Sequence, residues 1–211
     1  MRINHDTDTF GVMAQQQHPA MKKLITQIKA CTVCTSFLPY APRPVISVSK
    51  NSKILIIGQA PGKKVNDSGI PWDDQSGNEL RRWLGVSKEQ FYDNKLFGLM
   101  GMGFCYPGKG AGGDLPPRPE CAPLWHHQLL ANMKNVKLTL LIGQYSQKFY
   151  LGDKFKPTLT ENVKNYYEFL PKYLPLVHPS PRNKIWQKKN PWFEQELIPQ
   201  LQLIVKKLLK E

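Results

Sequence analysis

The sequence predicts an α/β fold: a three-layer α/β/α sandwich around a central, mainly parallel four-stranded sheet. Three observations carry that prediction. Short unbroken apolar runs, such as "ILII" at 54–57 and "LTLLI" at 138–142, read as strands covered on both faces. Segments with apolar residues at helical spacing alternate with those runs, as crossover helices do between parallel strands. Turn-forming sequences follow the strands at once: "GQAPG", "CYPGKG" and "HPSPRN".

Each element follows in order. The first stretch, through "QQQHPA", is polar and without period, so residues 1–20 are expected to form a flexible arm and 21–211 a single domain. "MKKLITQIKAC" spaces Met21, Leu24, Ile25 and Ile28 as a helix leading into Cys31. "FLPYAPRPV" is proline-rich and extended. The strand at 53–57 comes next, and a loop is expected over 62–75. "SGNELRRWLG" reads as a helix with Ser76 near its start and Gly85 at its end. "KLFGLMGMGFCYP" has too many glycines for a good helix and reads as a second buried strand. "GKGAGGDLPPRPE" is a loop, and "PECAPLWHHQLLANM" a helix with proline in its first turn. "KLTLLIGQYSQKFYLG" repeats strand, glycine, helix. "YLPLV" is the last strand, and the closing helix over "NPWFEQELIPQLQLIVKKLLK" is kinked or divided at Pro199.

The bulk composition narrows the function classes. A chain of 211 residues with 41% hydrophobic content supports one real core and excludes a disordered chain. No apolar run nears the roughly 20 residues of a membrane span. The first twenty residues lack an apolar signal core, so a cytoplasmic protein is expected. Lys plus Arg number 29 against 16 Asp plus Glu, a formal charge of +13. That excess points to a polyanion partner, of which nucleic acid is the commonest. The four cysteines are Cys31 and Cys34, in C-x-x-C, and Cys105 and Cys121, sixteen positions apart. In a cytosolic chain this pattern favours metal or cluster ligation over disulfides, and four thiolates can hold zinc or an iron–sulfur cluster.

Three stretches can carry chemistry. In "GQAPG" the small residues Gly58, Ala60 and Gly62, with Gln59 and Pro61, let backbone come close to a ligand. In "GIPWDDQSG" the indole of Trp72 can stack a planar base, and Asp73 or Asp74 can activate a water or cap a helix. In "HPSPRN" His178 stands at a strand end where it can hydrogen-bond a developing oxyanion. Ser180, Arg182, Asn183 and Lys184 follow it as phosphate contacts.

Taken together, "GQAPG", "GIPW", "HPSPRN" and the cysteine spacing resemble the uracil-DNA glycosylase superfamily, most closely its iron–sulfur class, from about Cys31 to Leu203. The resemblance implies a 4Fe–4S cluster on Cys31, Cys34, Cys105 and Cys121, zinc being the alternative. It implies DNA as partner, a monomer, and a pocket for a base flipped from the duplex. Trp72 takes the place of the phenylalanine that stacks on the base, and His178 that of the histidine that bonds its carbonyl. Arg182 stands where related enzymes wedge the duplex. Two positions depart from the family pattern. Gln59 replaces the acid of the first motif and can hold a water but cannot act as a base; Asp73, Asp74 and Asp67 are the acids within reach in sequence. Met100 stands near where the family reads uracil with an asparagine. The resemblance thus implies a repair glycosylase of altered specificity, or a lesion-binding member without hydrolysis. A phosphate- or nucleotide-handling enzyme is the third possibility, but the chain lacks G-x-x-x-x-G-K-[ST].

Overall fold

The computed structural model of the protein describes residues 20–210. The arm expected over 1–20 lies, apart from Ala20, outside the described residues. Six strands are present among those described: β1 (Ile54–Gly58), β2 (Phe97–Gly101), the short pair β3 (Lys109–Gly110) and β4 (Gly113–Asp114), β5 (Leu138–Ile142) and β6 (Tyr173–Leu176). The central sheet runs β2-β1-β5-β6 and every pairing in it is parallel. Ile54 is in register with Phe97 on one side and Leu138 on the other. This is the expected four-stranded sheet, and it is wholly parallel.

Alternation along β1 builds both faces. Ile54 and Ile56 join Leu80, Trp83, Phe193 and Leu201 in one core. Leu55 and Ile57 join Leu24, Ile28 and Leu129 in the other. All four β1 side chains are fully buried, each worth about 1.5–3 kcal/mol relative to exposure. Helices α1 (Met21–Lys29), α2 (Lys63–Ser68), α3 (Gln75–Leu84), α4 (Lys88–Tyr92) and α5 (Cys121–Asn132) come in the first part of the chain. Helices α6 (Gln144–Leu151), α7 (Leu159–Lys164), α8 (Lys184–Lys189) and α9 (Ile198–Lys210) follow. α3 packs with α9, and α1 with α5, one pair on each face. Pro175 sits in β6, at the sheet edge, where a missing N–H costs no ladder bond.

Several elements differ from the sequence expectation. The loop expected over 62–75 contains α2, entered at Gly62 and closed by the left-handed Gly69 (φ 74°). The glycine-rich "GKGAGGD" forms the antiparallel β3–β4 hairpin rather than a loop. α4 and α7 are five and six residues long, too short to show a period, and would be marginal alone. Both start with a capping box, Ser87 with Gln90 and Thr158 with Glu161, which is a readable sequence signal. The closing helix is divided as expected: a π-helical turn over Phe193–Leu197 precedes α9, whose second residue is Pro199.

Candidate active site

Strand order reverses direction at β1: β2 lies on one side of it, and β5 and β6 on the other. Ligands of parallel sheets bind outside the carboxyl ends of strands near such a point. A cavity of about 480 Å³ opens there, within the usual range of roughly 300–1,000 Å³ for small-ligand sites. Its floor is the turn after β1, Gly58 to Gly62, with Met100 and Gly101 from the end of β2. One wall carries Trp72 and the start of α3; the other carries His178, Ser180, Arg182 and Asn183.

Trp72 is the one non-glycine residue with positive φ (59°) among those described. Its indole edge takes the space above Gly58, where a Cβ would stand 2.8 Å from Cζ2. Its carbonyl takes the space beside Gly77, where a Cβ would collide with it. Both glycines are therefore required by the tryptophan, and the left-handed backbone turns its ring toward the cavity. Strained backbone of this kind points to a site. The Trp72 and His178 rings stand 5.8 Å apart between centroids, tilted by 31°.

His178 follows the buried Val177, directly after β6. Its carbonyl accepts a hydrogen bond from Asn183 Nδ2 at 2.7 Å, which closes the turn behind it. Ser180 Oγ accepts from the Arg182 backbone N–H at 3.3 Å, and Arg182 Nη1 donates to the Gly112 carbonyl at 2.7 Å, tying the turn to the β3–β4 hairpin. Burial pushes the His178 imidazole below the ordinary histidine range, and the Asp74 carboxylate draws it partly back up. The ring is neutral at pH 7, with one N–H to donate and no cation to neutralise.

The four cysteines converge on a second, smaller hollow of apolar character, lined also by Ile28, Phe104, Leu124 and Trp125. None is in a disulfide. Burial pushes Cys105 up to about 11 and Cys121 up to about 12, with neighbouring thiols adding to the effect. Arg118 closes the rim: it pairs with Glu120, lies over the Phe37 ring at 4.1 Å, and Glu120 accepts a long contact from Cys34 Sγ at 3.9 Å. Among the described residues no three His, Cys, Asp or Glu side chains form a ready-made ion site. The donor set itself, four soft thiols around one apolar hollow, fits a cluster or zinc.

The profile of the Uracil DNA glycosylase superfamily matches residues 46–202, which include both walls and the floor of the cavity. The chain belongs to the uracil DNA glycosylase superfamily. It is similar to the type-4 uracil-DNA glycosylase of Thermotoga maritima, at 25% identity over 167 residues that cover 76% of this chain and 81% of that relative.

For this superfamily member, most residues singled out in the sequence meet in one place. Gly58, Gln59, Ala60, Pro61, Gly62, Trp72, Met100, His178, Ser180, Arg182 and Asn183 all line the cavity. Asp73 and Lys184 do not: the turn at Trp72 brings residues 72 and 74 inward, and Lys184 already begins α8. Asp74 lines the cavity, but its carboxylate accepts the Gly77 N–H at 2.8 Å and caps α3. Asp67 is exposed and paired with Lys63 at 2.6 Å, which holds its carboxyl below the usual range. Gln59 Nε2 donates to the Leu115 carbonyl at 3.0 Å. Sequence reading passed over Asp114, Ser76 and Val45, which also line the cavity. Asp114 lies in a glycine-rich segment with no local signal; only the hairpin brings it over Gly62.

Proposed function

We propose that this uracil-DNA glycosylase-like protein receives a damaged or deaminated, uracil-like base flipped from DNA and hydrolyses its N-glycosidic bond, leaving an abasic site. The observation that carries this reading is the pairing of Trp72 and His178 across one cavity at the sheet's switch point. The indole offers a face for a planar base, worth roughly 1–3 kcal/mol. The neutral imidazole offers an N–H to the base carbonyl on which charge grows as the bond breaks. Extrusion costs a few kcal/mol. Phosphate contacts offset it, and a chain of net charge +13 is suited to them. Arg182, Ser180, Asn183 and Lys184 are the DNA contacts in this reading. The protein acts as a cytoplasmic monomer, one domain over 21–211. Cys31, Cys34, Cys105 and Cys121 would hold a 4Fe–4S cluster, which ties the segments around the cysteines to the end of β2.

The second reading is a lesion-binding member without efficient hydrolysis. Two observations favour it: the Gln59 amide is committed to Leu115, and Met100 offers a thioether where a base-reading amide would serve.

Strand cleavage of labelled oligonucleotides separates the two. Each carries uracil opposite guanine, uracil in single strand, hypoxanthine, xanthine, or thymine opposite guanine, and alkali cuts any abasic site. Cleavage of one substrate that His178→Ala abolishes supports the glycosylase. Binding without cleavage of any of them supports the second reading.

A further inference from the structure

We propose that Asp114, from the β3–β4 hairpin, is the group that orients and deprotonates the attacking water in this cavity. The inference rests on the glycosylase reading above and adds a residue to it.

Hydrolysis needs a proton acceptor beside the nucleophilic water. Two carboxylates line the cavity, Asp74 and Asp114. Asp74 is engaged by the Gly77 N–H as the cap of α3. Asp114 accepts no hydrogen bond to its carboxylate from any described residue and forms no ion pair within reach of a direct contact. Its Oδ2 lies over the floor of the cavity, 3.3 Å from where a Cβ on Gly62 would stand. Any side chain at 62 would crowd that carboxylate.

The hairpin is fixed in this position from two sides. Gln59 Nε2 donates to the carbonyl of Leu115, the next residue after Asp114, at 3.0 Å. Arg182 Nη1 donates to the Gly112 carbonyl, two residues before it, at 2.7 Å. Gln59 therefore does not act on water; it is a positioning residue that docks the segment bearing the acid. The uncharged residue of the first loop and the charged residue of the hairpin are parts of one arrangement.

The charged and titratable surroundings of Asp114 are Arg182 from the "HPSPRN" turn, Lys109 from β3, Asp74 from the α3 cap, Tyr106 after β2, and His178 on the same cavity. Burial raises the carboxyl above the ordinary aspartate range, Arg182 and Lys109 pull it back, and Asp74 raises it. A raised carboxylate is a better base near neutrality than an exposed one.

In the step itself, the water oxygen bonds to C1′ of the deoxyribose as the C1′–N bond breaks. The electron pair of that bond leaves with the base, held by the His178 N–H. One water proton passes to Asp114, which returns it to solvent or to the departing base.

The test is single-turnover base release by the full chain, over a pH series, on whichever oligonucleotide the wild type cuts. Asp114→Asn keeps shape and removes the base. We expect release to fall about 100-fold or more, oligonucleotide affinity to stay within about threefold, and the acid limb of the wild-type pH profile to vanish. Asp114→Ser must behave the same way, which guards against a fault peculiar to one variant. Asp153→Asn, on an exposed turn far from the cavity, is the matched control. Release by Asp114→Asn within about threefold of wild type, or an acid limb that persists, overturns the role of Asp114 while leaving the glycosylase intact. Absence of release by the wild type on every substrate overturns the glycosylase reading, and this role with it.

Discussion

The cavity and the cysteine corner lie side by side yet are built on opposite principles. Only residues 102–104 separate Gly101, on the cavity, from Cys105, in the corner. The cavity is held open by bonds the chain makes with itself: Asn183 to His178, Gln59 to Leu115, Arg182 to Gly112. Its polar groups are aimed before any ligand arrives. The corner is apolar, and packing rather than hydrogen bonding surrounds its thiols. Burial there disfavours the thiolate form, so a bound cation would be what stabilises it. A site preorganised by internal bonds should lose chemistry when altered and keep its fold. A site that depends on a bound group to unite distant segments should lose stability first.

The largest effect should come from the cavity. His178→Ala removes the hydrogen bond to the leaving base and is expected to lower base release by about 10²–10³-fold, or about 2.7–4 kcal/mol. Thermal denaturation of the same variant should change little. A large drop in Tm with modest loss of release would erase the contrast between the two regions.

The junction of the regions should respond to pH. His126, on α5, is buried, with Nε2 at 3.1 Å from the Gly101 carbonyl, Nδ1 at 2.6 Å from the Tyr150 hydroxyl, and its ring stacked on Phe104. A carbonyl only accepts, so Nε2 carries the proton and Nδ1 accepts from Tyr150. Burial lowers its pKa from 6.5 to about 4. The unfolded chain therefore binds the proton more readily than the folded one. Stability is fully retained above pH 6.5 and declines as pH falls from there toward 4, by at most about 3 kcal/mol from this residue. Urea titrations across that window should show the decline, and His126→Gln should flatten it. An equal slope in that variant would assign the acid sensitivity elsewhere.

Smaller effects should come from the corner and from the rim of the cavity. Cys105→Ser should lower Tm by a few degrees, at roughly 2–4 °C per kcal/mol for a chain of this size. It should also reduce iron content and visible colour, while base release below the transition stays near wild type. Colourless protein that contains one zinc would replace the cluster with zinc and leave the stability argument standing. Arg182→Ala should weaken DNA binding by lowering the salt dependence, reducing the slope of log K against log salt by about 1. No change in slope would remove Arg182 from the phosphate contacts.

Much of this protein was legible before folding because the signals were local. β1 and β5 announce themselves as unbroken apolar runs, and strand ends followed by glycine or proline mark the loops that meet at the cavity. Trp72, His178 and the turn at 58–62 could be named from residue type alone. The acids could not be sorted that way. Asp67, Asp73, Asp74 and Asp114 look alike in sequence, and what separates them is a surface ion pair, a position off the cavity, a helix cap and an open carboxylate over Gly62. The sequence by itself determined the parallel sheet, its buried faces and the loops at its carboxyl edge, because hydrophobic period and turn chemistry act between near neighbours. Only the tertiary structure decided why Gly77 is glycine and which carboxylate faces the cavity. Gly77 sits inside a helix where alanine would be intrinsically better, but the Trp72 carbonyl occupies the space of its Cβ. Asp114 reaches the site through a hairpin that folds back over a turn some fifty residues earlier. Contacts between segments so far apart leave no period in the chain, so only their meeting in space could reveal them.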